Sequence, residues 1–127
     1  MEQDELSQFL KWKDMIERIE SGEEISEESC KFHYPNTDVI DLDFTGCKYI
    51  IQIHLRVKNA FGFPDYYGMN YDALWDCLDG YTDKPLTVNI HGTKTLAKEF
   101  QPAIDMFLEI FDEVHEENPN MVFNLIS

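Results

Sequence analysis

The sequence predicts an α/β fold in which strands build a parallel sheet and helices make the crossovers. Three observations predict it. Short runs of strand character occur near residues 39–44, 86–90 and 121–126. Segments of helical period separate them, and 43% of the 127 residues are hydrophobic, enough for a core. Strands that alternate with helices favour parallel pairing, because a parallel pair needs a long crossover where an antiparallel pair can use a tight turn. The length fits one ordinary domain.

The elements follow in order. Phe9, Trp12, Ile16 and Ile19 recur at spacings of three and four, which predicts an amphipathic helix over 5–20. Leu6 and Met15 widen its stripe, and Ser21-Gly22 stops it. Residues 23–37 are acidic and polar, then irregular, with Pro35 and Asn36 as breakers, so they read as a connector. Val39 to Phe44 is a strand closed by Thr45-Gly46. The segment 50–61 fits two patterns. Ile51, Ile53, Leu55 and Val57 alternate with polar residues as a strand would, yet Ile50, Ile53, Val57, Ala60 and Phe61 share a helical face. Its length favours a helix.

Phe63 to Gly68 reads as a loop, and Asn70 as the N-cap of a helix over 71–79 that Gly80 closes. Pro85 precedes a strand over 86–90, ended by His91-Gly92. A helical region follows over 94–117, and Pro102 is expected to break it into a short and a longer piece. Ile104, Phe107, Leu108, Phe111 and Val114 supply the core face of the longer piece. Asn118-Pro119-Asn120 turns the chain into a last strand over 121–126. No internal repeat or low-complexity tract interrupts this order.

Charge narrows the function. Ten basic residues against 25 acidic ones leave a net charge of −15. A phosphate backbone would repel such a chain, which argues against direct nucleic-acid binding, and an anionic membrane surface would do the same. A basic protein partner would be attracted at long range. Solubility alone is the plainer explanation of the acidity. Cys30, Cys47 and Cys77 are odd in number and irregularly spaced, so they form no disulfide framework or zinc motif. A reducing compartment fits, and the expected localisation is cytoplasmic. Met1 to Glu5 lacks the basic and apolar regions of a signal peptide, and no apolar run reaches bilayer-spanning length.

The densest signal is the run from Pro64 to Leu78. On a helix beginning at Tyr71, the side chains of Tyr71, Leu74 and Leu78 share an inward face. Asp72 and Asp76, four apart, share another, which Asp79 extends. Like charges at this spacing cost a few tenths of a kcal/mol in an isolated helix. Trp75 lies beside them, and Tyr66 and Tyr67 lie in the loop before. Carboxylates flanked by aromatic residues suit a surface that meets Arg and Lys side chains, since those donate charge-assisted hydrogen bonds to carboxylate or phosphate alike. A merely solvated acidic face is the competing reading.

Catalysis fits poorly. Paired catalytic carboxylates generally come from separate elements lining a cleft, not from successive turns of one helix. Two carboxylates make a poor cation site. His33, His54, His91 and His115 have no metal-binding spacing. Cys77, mid-helix without a basic neighbour in sequence, reads as a core residue. No catalytic residue, cofactor or metal is therefore expected.

The run Phe63-Pro64-Asp65-Tyr66-Tyr67-Gly68, Asn70 and Asp72-Ala73-Leu74-Trp75-Asp76 with Leu78 resembles the barstar family, intracellular inhibitors of barnase-type ribonucleases. Pro85-Leu86 and the closing Phe123 to Ser127 support the resemblance more weakly. It covers about residues 38–127 and leaves 1–37 as an N-terminal helical extension and connector. The resemblance implies a three-stranded parallel sheet packed against helices, with an extra N-terminal helix here, and it implies a helix at 50–61.

It also implies a non-catalytic inhibitor, an immunity protein or antitoxin, that plugs a nuclease active site with an acidic helix and the loop before it. Asp76 would be the central phosphate-mimicking carboxylate, with Asp72 pairing a basic group beside it. Tyr66 and Tyr67 would add aromatic contacts, Trp75 would shape the surface, and Gly68 would let the backbone approach. Asn70, Asp79, Gly80 and Tyr81 complete the implied surface, and Glu113 joins it from the last long helix if one residue is inserted in the alignment.

Some positions depart from the family pattern. Met69 stands where an acidic residue is common, Tyr71 replaces a smaller aliphatic, Asp79 adds a carboxylate, and Tyr81 stands in place of an indole. These changes point to a related nuclease toxin rather than barnase itself, and a deoxyribonuclease target stays open. The partner is expected to be a basic, secreted ribonuclease bound by a monomer whose N-terminal stripe packs on its own domain, with a dimer contact or a second contact to the toxin through that extension as the alternatives. The rival function is a barstar-like acidic interaction module with a different basic partner.

Overall fold

A computed structural model describes residues 3–24, 26–82 and 84–126. Met1 and Glu2 of the acidic start, Ile25 of the connector and Ser127 of the closing motif lie outside the described residues. The sheet has three parallel strands, β1 (Val39–Asp43), β2 (Leu86–His91) and β3 (Met121–Leu125), in the order β1-β2-β3. Ile40 pairs with Val88, and Val88 with Phe123. Helix α1 (Gln3–Glu20) precedes the sheet, α2 (Ile50–Phe61) and α3 (Tyr71–Leu78) lie between β1 and β2, and α4 (Gln101–Glu117) joins β2 to β3.

The alternation Val-Ile-Asp-Leu-Asp in β1 sends Ile40 and Leu42 inward and Asp41 and Asp43 outward. In β2, Leu86, Val88 and Ile90 point inward, while Thr87, Asn89 and His91 are half-exposed. The outer face is polar, with Asn124 donating to Asn89 at 3.3 Å and His91 3.2 Å from Asp41. A parallel sheet is usually covered on both faces. Here the outward residues are polar enough for one face to meet solvent.

Helix α2 explains why its sequence fits two periods. Ile53, Leu55, Val57, Phe61 and even Gln52 and His54 are buried. The sheet covers one side and α1 packs on another. A helix buried on more than one side loses the single apolar stripe that marks it in sequence. Gly62 ends it in the left-handed conformation at φ 71°. A Cβ there would lie 1.9 Å from the carbonyl oxygen of His33, whose N–H donates to Gly62 O at 2.7 Å. The connector is thus locked against the end of α2 through a position only glycine can fill.

Pro102 does not break a helix. The chain from Thr93 to Phe100 makes two short 3-10 turns, and Pro102 sits in the first turn of α4. There its missing N–H costs nothing and its fixed φ suits the helix. The expected interruption is therefore the helix start.

Helix α1 packs on its own domain through α2. Its stripe of Phe9, Trp12, Met15, Ile16 and Ile19 is half-buried. Glu5 is buried and meets Arg56 at 3.1 Å, and Asn59 donates to Gln8 at 2.9 Å. Arg56 also donates to the carbonyls of Asp43 and Thr45, so the pair ties α1 to the end of β1. Glu5→Ala would leave Arg56 these carbonyls but strip its carboxylate. The second Glu5 oxygen has no partner, which limits what the pair contributes. The expected loss is about 1–2 kcal/mol, between the exposed and buried ion-pair ranges. Urea unfolding checks it, and an unchanged midpoint would show that α1 rests on its apolar stripe alone.

Candidate protein-binding site

The site is built on α3 and its flanking turns. Asn70 caps the helix as its sequence indicates, its side-chain oxygen accepting from Ala73 N at 2.8 Å. Leu74 and Leu78 are buried and Tyr71 is half-buried against Phe107. That anchoring turns Asp72 and Asp76 outward. Asp79 follows as the C-cap, and Gly80 takes a positive φ of 71° to turn the chain away. All three carboxylates are exposed, and among the described residues no cation lies within ion-pairing distance of them.

Helix polarity sharpens the point. Asp72 sits in the first turn, where the dipole favours an anion. Asp76 and Asp79 sit at the other end, where it disfavours one, and the last turn carries no basic residue. An uncompensated pair of carboxylates at a helix C-terminus is a local conflict that an incoming cation would relieve.

Beside this helix end lies a cleft of about 520 Å³ that brings Tyr66, Gly68, Asp76, Asp79 and Gly80 together, backed by Tyr67 and Tyr81. Tyr66 is 39% exposed and faces solvent. Tyr67 and Tyr81 differ from Tyr66 in their burial. Tyr67 is fully buried, and its hydroxyl lies 2.7 Å from His54 Nδ1. Tyr81 is buried too, its hydroxyl donating to the carbonyl of Phe61. Both rings hold the loops in place from below and offer a partner little or no surface. Burial raises both phenols well above their usual range, so they stay neutral.

Gly68 does not take a left-handed φ. A Cβ there would stand 3.1 Å from Asn70 Nδ2, so glycine also leaves room for the capping side chain. Asn70, Asp72 and half-buried Trp75 lie on the same helix but outside the cleft. Glu113 is exposed on α4 and does not line it either. Met69 is buried at φ 51° and lines the groove where Trp12 and Met15 of α1 approach Leu55. The added helix α1 thus takes part in the surroundings of Met69, at a position that departs from the family pattern.

Two connector residues, absent from the surface expected from sequence, complete the cleft. Phe32 packs against Phe63, and Tyr34 stacks on Phe32 with centroids 5.2 Å apart. Two aromatics next to Pro35 in an otherwise polar stretch were the available signal. Periodicity could not find them, because their contacts are all tertiary.

Cys77 lines the cleft floor as a buried thiol, pushed up to about 11 first by burial and then by the Asp76 charge. It is no nucleophile at neutral pH. Thiol titration with an aromatic disulfide at pH 7.5 should find exposed Cys30 reacting at once, and buried Cys47 and Cys77 only in denaturant. Fast reaction of three thiols in the native protein would contradict this packing.

Residues 37–126 match the family model described as Barstar (barnase inhibitor). The chain belongs to this family. A Bacillus subtilis (strain 168) protein named "Putative ribonuclease inhibitor YrdF" is 42% identical over 65 residues, which span 51% of this chain and 71% of that relative. The three-stranded parallel sheet with its helices is the barstar fold that the loop-and-helix motif implied, with α1 added. No helix among the described residues is long and apolar enough to cross a membrane.

Proposed function

We propose that this barstar-family chain is a non-catalytic inhibitor of a ribonuclease toxin, acting as a cytoplasmic immunity protein. It occludes the basic active site with the C-terminal half of α3 and the Tyr66 loop. The observation that carries the reading is the pair of exposed, unpaired carboxylates, Asp76 and Asp79, at the end of a helix whose dipole disfavours them, beside a cleft walled by aromatic rings. Free carboxylates need not break an internal ion pair in order to bind. Family membership and the name of the Bacillus relative support the ribonuclease as target.

Asp76 is the proposed centre, with Asp72 placed one turn earlier to meet a second cation. Tyr66 and the Gly68 backbone supply contacts from the loop, Asn70 fixes the helix start, and Trp75 borders the acidic face. Glu113 is an outlying contact from α4. The net charge of −15 steers encounter with a basic enzyme. The test is to co-express the chain with a barnase-type ribonuclease and follow growth and RNA cleavage. Rescue by the wild-type chain supports the proposal. Continued cleavage in the presence of folded, abundant inhibitor would refute it and favour an interaction module with another basic partner.

A further inference from the structure

The connector before the family domain takes part in the site. Phe32 and Tyr34 lie outside the matched region 37–126, yet both line the cleft with Tyr66, Asp76 and Asp79. Phe32 covers the core there, through Phe63 and Tyr81. Tyr34 remains 55% exposed and so adds little to core burial. It is nonetheless fixed. It stacks on Phe32 at an interplanar angle of 12° and meets Tyr81 edge-on at 5.0 Å. The peptide N–H of the residue between Phe32 and Tyr34 is bonded to the end of α2. An exposed ring on an immobilised backbone is preorganised for contact, since little freedom is lost when a partner arrives.

We propose that Tyr34 and Asp79 form a second subsite beside Asp76, and that it receives an arginine side chain of the ribonuclease. This inference rests on the reading of Asp76 as the central carboxylate. The chemistry selects arginine. A guanidinium can lie flat against a tyrosine ring while its N–H groups fork onto a carboxylate, and it sheds water more readily than an ammonium. Among the described residues no cation pairs with the Asp79 carboxylate, and the helix end beside it adds negative potential. The connector then acts as a specificity element. It selects ribonucleases that carry an arginine at the rim of the active site.

The test measures binding of the full chain, by calorimetry, to a barnase-type ribonuclease that the wild-type chain inhibits, with inhibition of RNA cleavage alongside. The variants are Tyr34→Ala, Tyr34→Phe, Asp79→Asn, the Tyr34→Ala/Asp79→Asn pair, and Asp76→Ala. Tyr34→Ala and Asp79→Asn are each expected to weaken binding about tenfold, and the pair less than the product of the two, because they share one guanidinium. Tyr34→Phe keeps the ring and should stay within about twofold of wild type. If Tyr34→Ala lowers the melting temperature, the exposed Asp79→Asn decides the matter. Wild-type affinity in Tyr34→Ala and Asp79→Asn, beside a severe loss in Asp76→Ala, would remove the second subsite and leave the main reading intact. Full binding by Asp76→Ala, or a wild-type chain that leaves every barnase-type ribonuclease tested uninhibited, would overturn the main reading and this inference together.

Discussion

Asp76→Ala is expected to weaken the complex with a barnase-type ribonuclease by at least about 30-fold, corresponding to the ~2 kcal/mol that marks an interface hot spot. The founding complex of this family is among those that define this hot-spot scale. The structure supplies the reason for choosing this residue. The carboxylate is exposed, pairs with no cation among the described residues, and borders a cleft with aromatic walls. Once the complex closes, water leaves, and the removed charge would strand the enzyme's basic groups without a counter-ion. Dissociation should therefore accelerate more than association slows.

Glu27→Ala is the control, an exposed acid at the first short turn of the connector. Its loss should cost only a share of the long-range attraction and should fade at high salt. Stopped-flow association and dissociation rates separate the two effects. Equal losses in both variants would mean that net charge, and not the α3 surface, carries binding.

Legibility of the fold followed how locally each feature is determined. The strands could be read because one face of the sheet meets solvent, which leaves the alternation of β1 and β2 intact. Asn70 was legible because capping is a matter of three residues. The helix over 50–61 was ambiguous because its surroundings, not its own pattern, bury Leu55 and His54. A proline signals an interruption without saying on which side the helix lies, so the sequence alone does not distinguish a break at Pro102 from the helix start that is found there.

At the site, the outward carboxylates followed from helical spacing. The tyrosines did not. Adjacent Tyr66 and Tyr67 are alike in sequence, yet one is exposed and the other fully buried. The choice is made by His54, 13 residues away, whose ring nitrogen receives the Tyr67 hydroxyl contact. Phe32 and Tyr34 were invisible as site residues for the same reason, because their partners are distant in the chain.

That buried histidine makes stability depend on pH. His54 is 2% exposed and packed among Tyr67, Tyr71 and Phe107. No ion pair or hydrogen bond joins it to a carboxylate among the described residues. Burial disfavours the imidazolium and lowers its pKa from 6.5 to about 4. Between these values the unfolded chain holds a proton that the folded chain does not. Stability from this group is therefore fully present above pH 6.5 and is lost as pH falls toward 4, by about 3 kcal/mol in all.

Asp43, whose pKa is lowered chiefly by its hydrogen bonds to Thr45, acts in the same direction. Its window lies lower, below the usual carboxylate value. His54→Asn keeps a polar group near Nδ1 and cannot titrate, so carboxylate effects are shared with wild type and cancel in the comparison. Urea unfolding at pH 4.5, 5.5, 6.5 and 7.5 should show wild type losing stability more steeply than His54→Asn across the acid range, even if the variant starts lower. Parallel curves would mean that the folded and unfolded chains take up the His54 proton alike, so that its packing against Tyr67 tolerates an imidazolium at acid pH.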